Sequence, residues 1–195
     1  MKLSQLINYP LGLLGLKMVR RKNLQLVNRL DLEQDKAFMI LYEKVKPFTM
    51  VDIERCYALY ESVQFIIKNN IPGDLVECGV WKGGSAMLMA YTLQRAGITN
   101  RRLYLYDTFE GMTQPGERDG QNEKDEWESN RVTDTLNNMC YAPIEEVKAN
   151  MEATGYPADN ILLIKGRVEQ TIPATMPAGI AVLRLDTDWY ESTKH

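Results

Sequence analysis

Carboxylates placed where apolar runs end are the residues of this 195-residue chain with the most chemistry to offer. Glu77 follows Leu75 and Val76, and after it Gly79, Gly83 and Gly84 lead into a helical stretch carrying Ser85, Ala86, Met87, Leu88, Met89, Tyr91 and Leu93. An acid in front of a glycine turn repels phosphate and attracts an ammonium group. A dinucleotide turn reads Gly-x-Gly-x-x-Gly, its middle glycine admitting the pyrophosphate to the helix N-terminus. Here the pattern from Glu77 to Ser85 is Glu-x-Gly-x-x-x-Gly-x-Ser, which lacks that glycine and suits the methionine end of S-adenosylmethionine. A tight strand-to-helix turn without a ligand is the alternative.

Two further acidic sites stand at the same kind of position. Asp107 ends the run Arg102-Leu-Tyr-Leu-Tyr106 and could accept hydrogen bonds from both ribose hydroxyls, or cap the next helix. Asp186 and Asp188 follow the apolar run 180–185. Two apart in extended backbone, they are expected to share a face and to hold one hard cation, or to divide into ligand and base. The alternative has Asp188 capping the helix that follows. His195, a lone histidine at the end of that helix, reads as surface.

The elements that must position these residues read as an open α/β sheet with a cleft at the carboxyl ends of its strands. Strands are expected at 75–77, 102–106, 161–164 and 180–185, with helices at 31–46, 51–68, 85–93 and 143–155. The first helix stops before Pro47, because a residue preceding proline avoids the α region. Thr49 precedes the second, with Asp52 three residues on as a capping-box acid. That helix shows one apolar face of Ile53, Cys56, Tyr57, Tyr60, Val63 and Ile67. Thr49 is thus on a loop within reach of the cleft. Residues 111–131 are polar and read as a long lid loop, with Trp127 covering a ligand or anchoring the loop on the surface.

Composition bounds the rest. A hydrophobic content of 45% supports one sizeable core, and a net charge of −3 with a pI near 5.4 argues against a nucleic-acid partner. Cys56, Cys78 and Cys140 form neither a disulfide framework nor a zinc knuckle, which points to a reducing, cytoplasmic setting. The apolar stretch 6–16 is too short to span a bilayer, and its basic cluster follows rather than precedes it, unlike a signal peptide. An arm packing on its own domain or on a twin subunit is the favoured reading, which leaves a homo-oligomer open; docking on a membrane surface is the other.

Taken together, Val76-Glu-Cys-Gly-Val-Trp-Lys-Gly-Gly-Ser85, Tyr106-Asp-Thr-Phe-Glu-Gly-Met112 and Leu183-Arg-Leu-Asp-Thr-Asp-Trp-Tyr-Glu-Ser-Thr193 resemble the macrocin O-methyltransferase family, from about Pro47 onward. The resemblance implies a Rossmann-like class I methyltransferase sheet over the cofactor-binding domain 47–195, which leaves residues 1–46, with their helical pattern, as an N-terminal helical arm or cap. It implies S-adenosylmethionine and magnesium, used to methylate a hydroxyl of a small-molecule sugar or natural product. Glu77, Gly79, Trp81 and Ser85 match the motif for methionine and ribose, Asp107 and Thr108 the ribose end, Thr49 a loop contact, and Gly166 a position near the adenine. Asp186 matches a magnesium ligand and Asp188 the general base. Family members continue into a later strand ending in an Asp-Asp pair. Residues 1–195 would then lack the C-terminal strands, leaving the fourth strand with an open edge and the metal site incomplete, as in a truncated chain. A nicotinamide oxidoreductase and a non-catalytic cofactor- or partner-binding remnant stand as the alternatives.

Overall fold

Strands β1 (Asp74–Cys78) and β2 (Leu103–Asp107) are buried at consecutive rather than alternate positions, the pattern of parallel strands covered on both faces. β3 (Ile161–Lys165) and β4 (Ile180–Leu185) flank them in the order β3-β2-β1-β4, and every pairing is parallel. The chain steps outward from β1 through β2 to β3 and then crosses back to place β4 on the other side of β1. This reversal between β1 and β4 makes their carboxyl ends the natural crevice of such a sheet. The computed structural model describes residues 32–172 and 174–195; the N-terminal arm with its basic cluster, Asp31 and Pro173 lie outside them. The chain divides into two compact units, 1–39 and 40–195, and the second holds the sheet.

Seven helices are described within these bounds: α1 (Lys36–Val45), α2 (Ile53–Lys68), α3 (Gly84–Arg95), α4 (Gln121–Ser129), α5 (Ile144–Glu152), α6 (Val168–Thr171) and α7 (Tyr190–Lys194). Val76, Cys78, Tyr104, Tyr106 and Val168 form a core on one side of the sheet, joined by Leu162 and Ile164. Strand alternation sends Leu75, Glu77, Leu103 and Leu105 to the opposite side. There α3 packs against α2 and α5. An acid at Glu77 is therefore built into the centre of the sheet.

The first helix does stop before Pro47, at Val45, and Pro47 then sits in a single 3₁₀ turn, Lys46–Phe48, where its missing N–H costs nothing. Three local expectations change. Asp52, not Thr49, is the N-cap of α2 and accepts from Arg55 N at 2.9 Å, while Thr49 Oγ1 accepts from Val51 N at 3.1 Å in a separate turn. The buried stripe of α2 runs through Cys56, Leu59, Tyr60, Val63 and Ile66, displacing Tyr57 and Ile67 from the expected face. Residues 111–131 are not one loop, because α4 lies inside them; its single buried residue, Trp127, offered no apolar periodicity to read.

Trp127 anchors its segment: its indole N–H donates to Met112 O at 2.8 Å. Asn137, fully buried, adds a second staple, donating to Trp127 O at 2.8 Å and accepting from Met139 N at 2.8 Å. β4 exposes Ile180, Leu183 and Leu185 along the edge of the sheet, in keeping with the open apolar edge expected of the fourth strand. Among the described residues no helix is long and apolar enough to cross a membrane.

Asn137→Ala removes both side-chain hydrogen bonds and leaves Met139 N–H without its acceptor, while Trp127 O keeps the bond from Asn130 N, so a loss of about 1–3 kcal/mol in unfolding free energy is expected from urea titration. A variant as stable as the parent would show that the 111–140 segment does not depend on this staple.

Candidate active site

The crevice at the carboxyl ends of β1, β2 and β4 has two contiguous lobes that share part of their lining. Thr49, Glu77, Gly79, Trp81, Ser85, Asp107, Asp186 and Asp188 line the first; Thr108 and Gly166 line the second, which shares Gly79, Asp107 and Asp186 with it. All ten residues singled out from sequence thus meet in one cleft.

Backbone approach explains the glycines. Gly79 has φ +86°, and a Cβ there would collide with the carbonyl of Asp186, so only glycine lets the ends of β1 and β4 close together. At Gly84 a Cβ would meet the Phe48 carbonyl oxygen at 2.6 Å, which seats the Thr49 loop directly on the start of α3. Trp81, between them, carries the unusual φ of +49°.

Asp107 is heavily engaged by the chain itself. Its Oδ2 accepts from Val80 N at 2.6 Å and Trp81 N at 3.1 Å, and its Oδ1 from Phe109 N at 2.8 Å. Asp107 therefore ties the glycine turn after β1 to the end of β2; an ionised carboxylate offers about four acceptor sites, so Oδ1 keeps capacity for a further donor. Thr108 Oγ1 donates to Gly111 O at 2.6 Å and shapes the next turn. Gly166, with φ +139°, follows β3 and donates its N–H to Asp107 O at 2.9 Å.

Asp186 and Asp188 reach the cleft by a different route from the expected one. β4 ends at Leu185, and Asp188 has φ +56°, so the two do not share a face through strand alternation; a tight turn brings both to the same lobe. Nor does Asp188 cap α7: the Tyr190 N–H there is accepted by Asp119 Oδ1 at 2.9 Å. Partial desolvation, then the negative charge of Asp186, push the Asp188 carboxyl above the usual carboxylate range.

Arg184 is the residue that spacing did not pick out. Its Nη1 pairs with Glu77 Oε1 at 2.7 Å and its Nη2 with Asp186 Oδ2 at 2.7 Å. The signal was present: an arginine inside the apolar run 180–185, in register with Glu77 across β1 and β4. Glu77 itself is 1% exposed, and its Oε2 is buried without a hydrogen-bond partner. Burial is the main cause that pushes its carboxyl up to about 8, and Arg184 opposes the rise.

Magnesium finds a poor donor set here. Asp186 and Asp188 are the carboxylates matched to that role, one oxygen of Asp186 is taken by Arg184, and among the described residues no group of three or more His, Cys, Asp or Glu could hold a metal ion. A hard cation that prefers six oxygens does not fit two carboxylates of which one is already paired.

The family model described as Macrocin-O-methyltransferase (TylF) matches residues 15–195. The chain is 37% identical over 150 residues to the 8-demethyl-8-(2,3-dimethoxy-alpha-L-rhamnosyl)-tetracenomycin-C 4'-O-methyltransferase of Streptomyces olivaceus, an alignment of 74% of this chain and 54% of that protein. It is 34% identical over 145 residues to the demethyldecarbamoylnovobiocin O-methyltransferase of Streptomyces niveus, covering 74% of this chain and 53% of that one. The chain thus spans about half the length of the curated relatives it matches. The solved structure of the O-methyltransferase NovP superposes with a TM-score of 0.64 at 32% identity, over 75% of this chain and 58% of NovP. The calicheamicin methyltransferase CalS11 shares the fold at 18% identity, with a TM-score of 0.51 over 92% of this chain and 73% of CalS11.

The raised Glu77 carboxyl has a consequence for stability. Between about 4.5 and about 8 the folded ligand-free state keeps a proton that the unfolded chain has released, so stability is fullest below that window and falls as pH rises through it. Urea midpoints measured at pH 5 and pH 8 are expected to drop more in the parent than in Glu77→Gln, which has no proton to lose. Equal drops in the two proteins would show that Glu77 ionises in the ordinary carboxylate range.

Proposed function

The chain belongs to the macrocin O-methyltransferase family, and from that membership we propose that it methylates a hydroxyl of a small-molecule sugar or natural product with S-adenosylmethionine as methyl donor. The observation that carries the reading is the buried, unpartnered Glu77 Oε2 at the wall of the cleft, a site shaped for a cationic amino group. The printed names of the relatives, acting on a rhamnosyl tetracenomycin and on a novobiocin precursor, favour a glycosylated acceptor.

The cofactor supplies an electrophilic methyl group. The residues of the chain divide the remaining work. Glu77 would hold the amino group of the methionine end, the Val80–Ser85 segment would line the cofactor, Asp107 and Thr108 would hold the ribose, and Gly166 would lie by the base. Asp188 accepts the proton of the acceptor hydroxyl, and its raised carboxyl makes it a better match to neutral pH than an ordinary aspartate. The turn at Asp188 aims that carboxyl into the lobe that Glu77 also lines. Magnesium dependence, which the resemblance implies, finds no complete donor set among the described residues, and no step here runs through it.

Incubation with methyl-labelled S-adenosylmethionine and a rhamnosyl tetracenomycin or demethyldecarbamoylnovobiocin as acceptor, read by mass spectrometry, is expected to label a sugar hydroxyl. Asp188→Asn should keep cofactor affinity and lose about 10²–10⁴-fold in turnover, the range for a positioned general base. Full turnover in that variant would remove Asp188 from the reaction, and absence of label on any hydroxyl would overturn the assignment.

A further inference from the structure

Glu77 and Arg184 do not pair in the manner of a purely structural salt bridge. A carboxylate and a guanidinium that serve only each other commonly meet two-on-two, both oxygens engaged by both nitrogens. Here the guanidinium is shared: Nη1 goes to Glu77 Oε1 and Nη2 to Asp186 Oδ2, each at 2.7 Å, while Glu77 Oε2 stays buried and unpaired. The side chain of Arg184 is 15% exposed and that of Glu77 is 1% exposed, so water does little to satisfy the leftover oxygen. Register fixes the arrangement, since Glu77 and Arg184 are direct partners across β1 and β4.

We propose that Arg184 is a positioning residue for the cofactor's amino end: by holding Glu77 Oε1 and Asp186 on one guanidinium, it presents Glu77 Oε2 to the cleft as the acceptor for an ammonium group. This rests on the reading that the cleft takes S-adenosylmethionine. Both acids lean on one cation, so an ammonium arriving at Glu77 Oε2 supplies the second positive charge that lets Glu77 give up its proton and ionise. Without Arg184 the two carboxylates would repel each other, and Glu77 would have no group to orient it. A planar fork suits this task better than a lysine, whose single ammonium is a point charge on a flexible stem.

The test compares two ligands by calorimetry. S-adenosylhomocysteine carries the amino-acid end; 5′-methylthioadenosine keeps the adenosine and the thioether but lacks it, and its binding also reports that each variant is folded. In Arg184→Met, affinity for S-adenosylhomocysteine is expected to fall about 10- to 100-fold, the effect of losing one charge-assisted contact, with 5′-methylthioadenosine unchanged. Arg184→Lys should recover part of the loss, and Arg184→Met should cost nothing further in a Glu77→Gln background. Parent-like affinity for S-adenosylhomocysteine in Arg184→Met, equal losses for both ligands, or additive losses in the double variant would each overturn the proposal. A parent that binds neither ligand would instead overturn the cofactor reading beneath it.

Discussion

A carboxylate at the centre of a parallel sheet, with one oxygen on an arginine and the other facing no partner, is the constraint around which this structure is arranged. Burying such a group is costly unless its acceptors are satisfied. The sheet tolerates it because β4 lies directly beside β1 and brings Arg184 into register with Glu77. That adjacency in turn requires Gly79, since any side chain there would strike the Asp186 carbonyl and force the strand ends apart. The close contact of the two strands is therefore what lets the sheet hold a partly satisfied acid, which leaves the cleft with an acceptor that the protein does not fill.

The loops around the crevice are held by side chains that lie away from the reacting groups. Asp107 fastens the turn after β1 to the end of β2. Trp127 and Asn137 hold the segment from 111 to 140 from one side. Trp189 donates from its indole nitrogen to Thr113 O at 2.6 Å and holds the same segment from the other. A cleft wall fastened at several separate points suits a site that must hold an extended ligand in one pose.

Much of this was legible in the sequence because the signals were local. The run before Glu77, the glycines after it and the acids ending three strands each sit within a few residues of one another, and the cleft that gathers them follows from parallel-sheet topology. Pairings across the sheet were not legible. Arg184 reads as one cation in an apolar run until β4 is known to lie beside β1. Asp186 and Asp188 were expected to share a face on an extended strand; they meet in the cleft because the chain turns at Asp188, and a left-handed aspartate leaves little trace in composition. Helix α4 escaped notice for the opposite reason: it is polar around nearly its whole circumference and held by one tryptophan.

The central claim concerns where one buried oxygen points its acceptor capacity. A crystal structure of the protein with S-adenosylhomocysteine tests it most directly. The account predicts the ligand's amino nitrogen within hydrogen-bond distance of Glu77 Oε2, with Arg184 still on Oε1 and on Asp186. An amino group bound elsewhere, or an Arg184 that has swung to take both oxygens of Glu77, would contradict it.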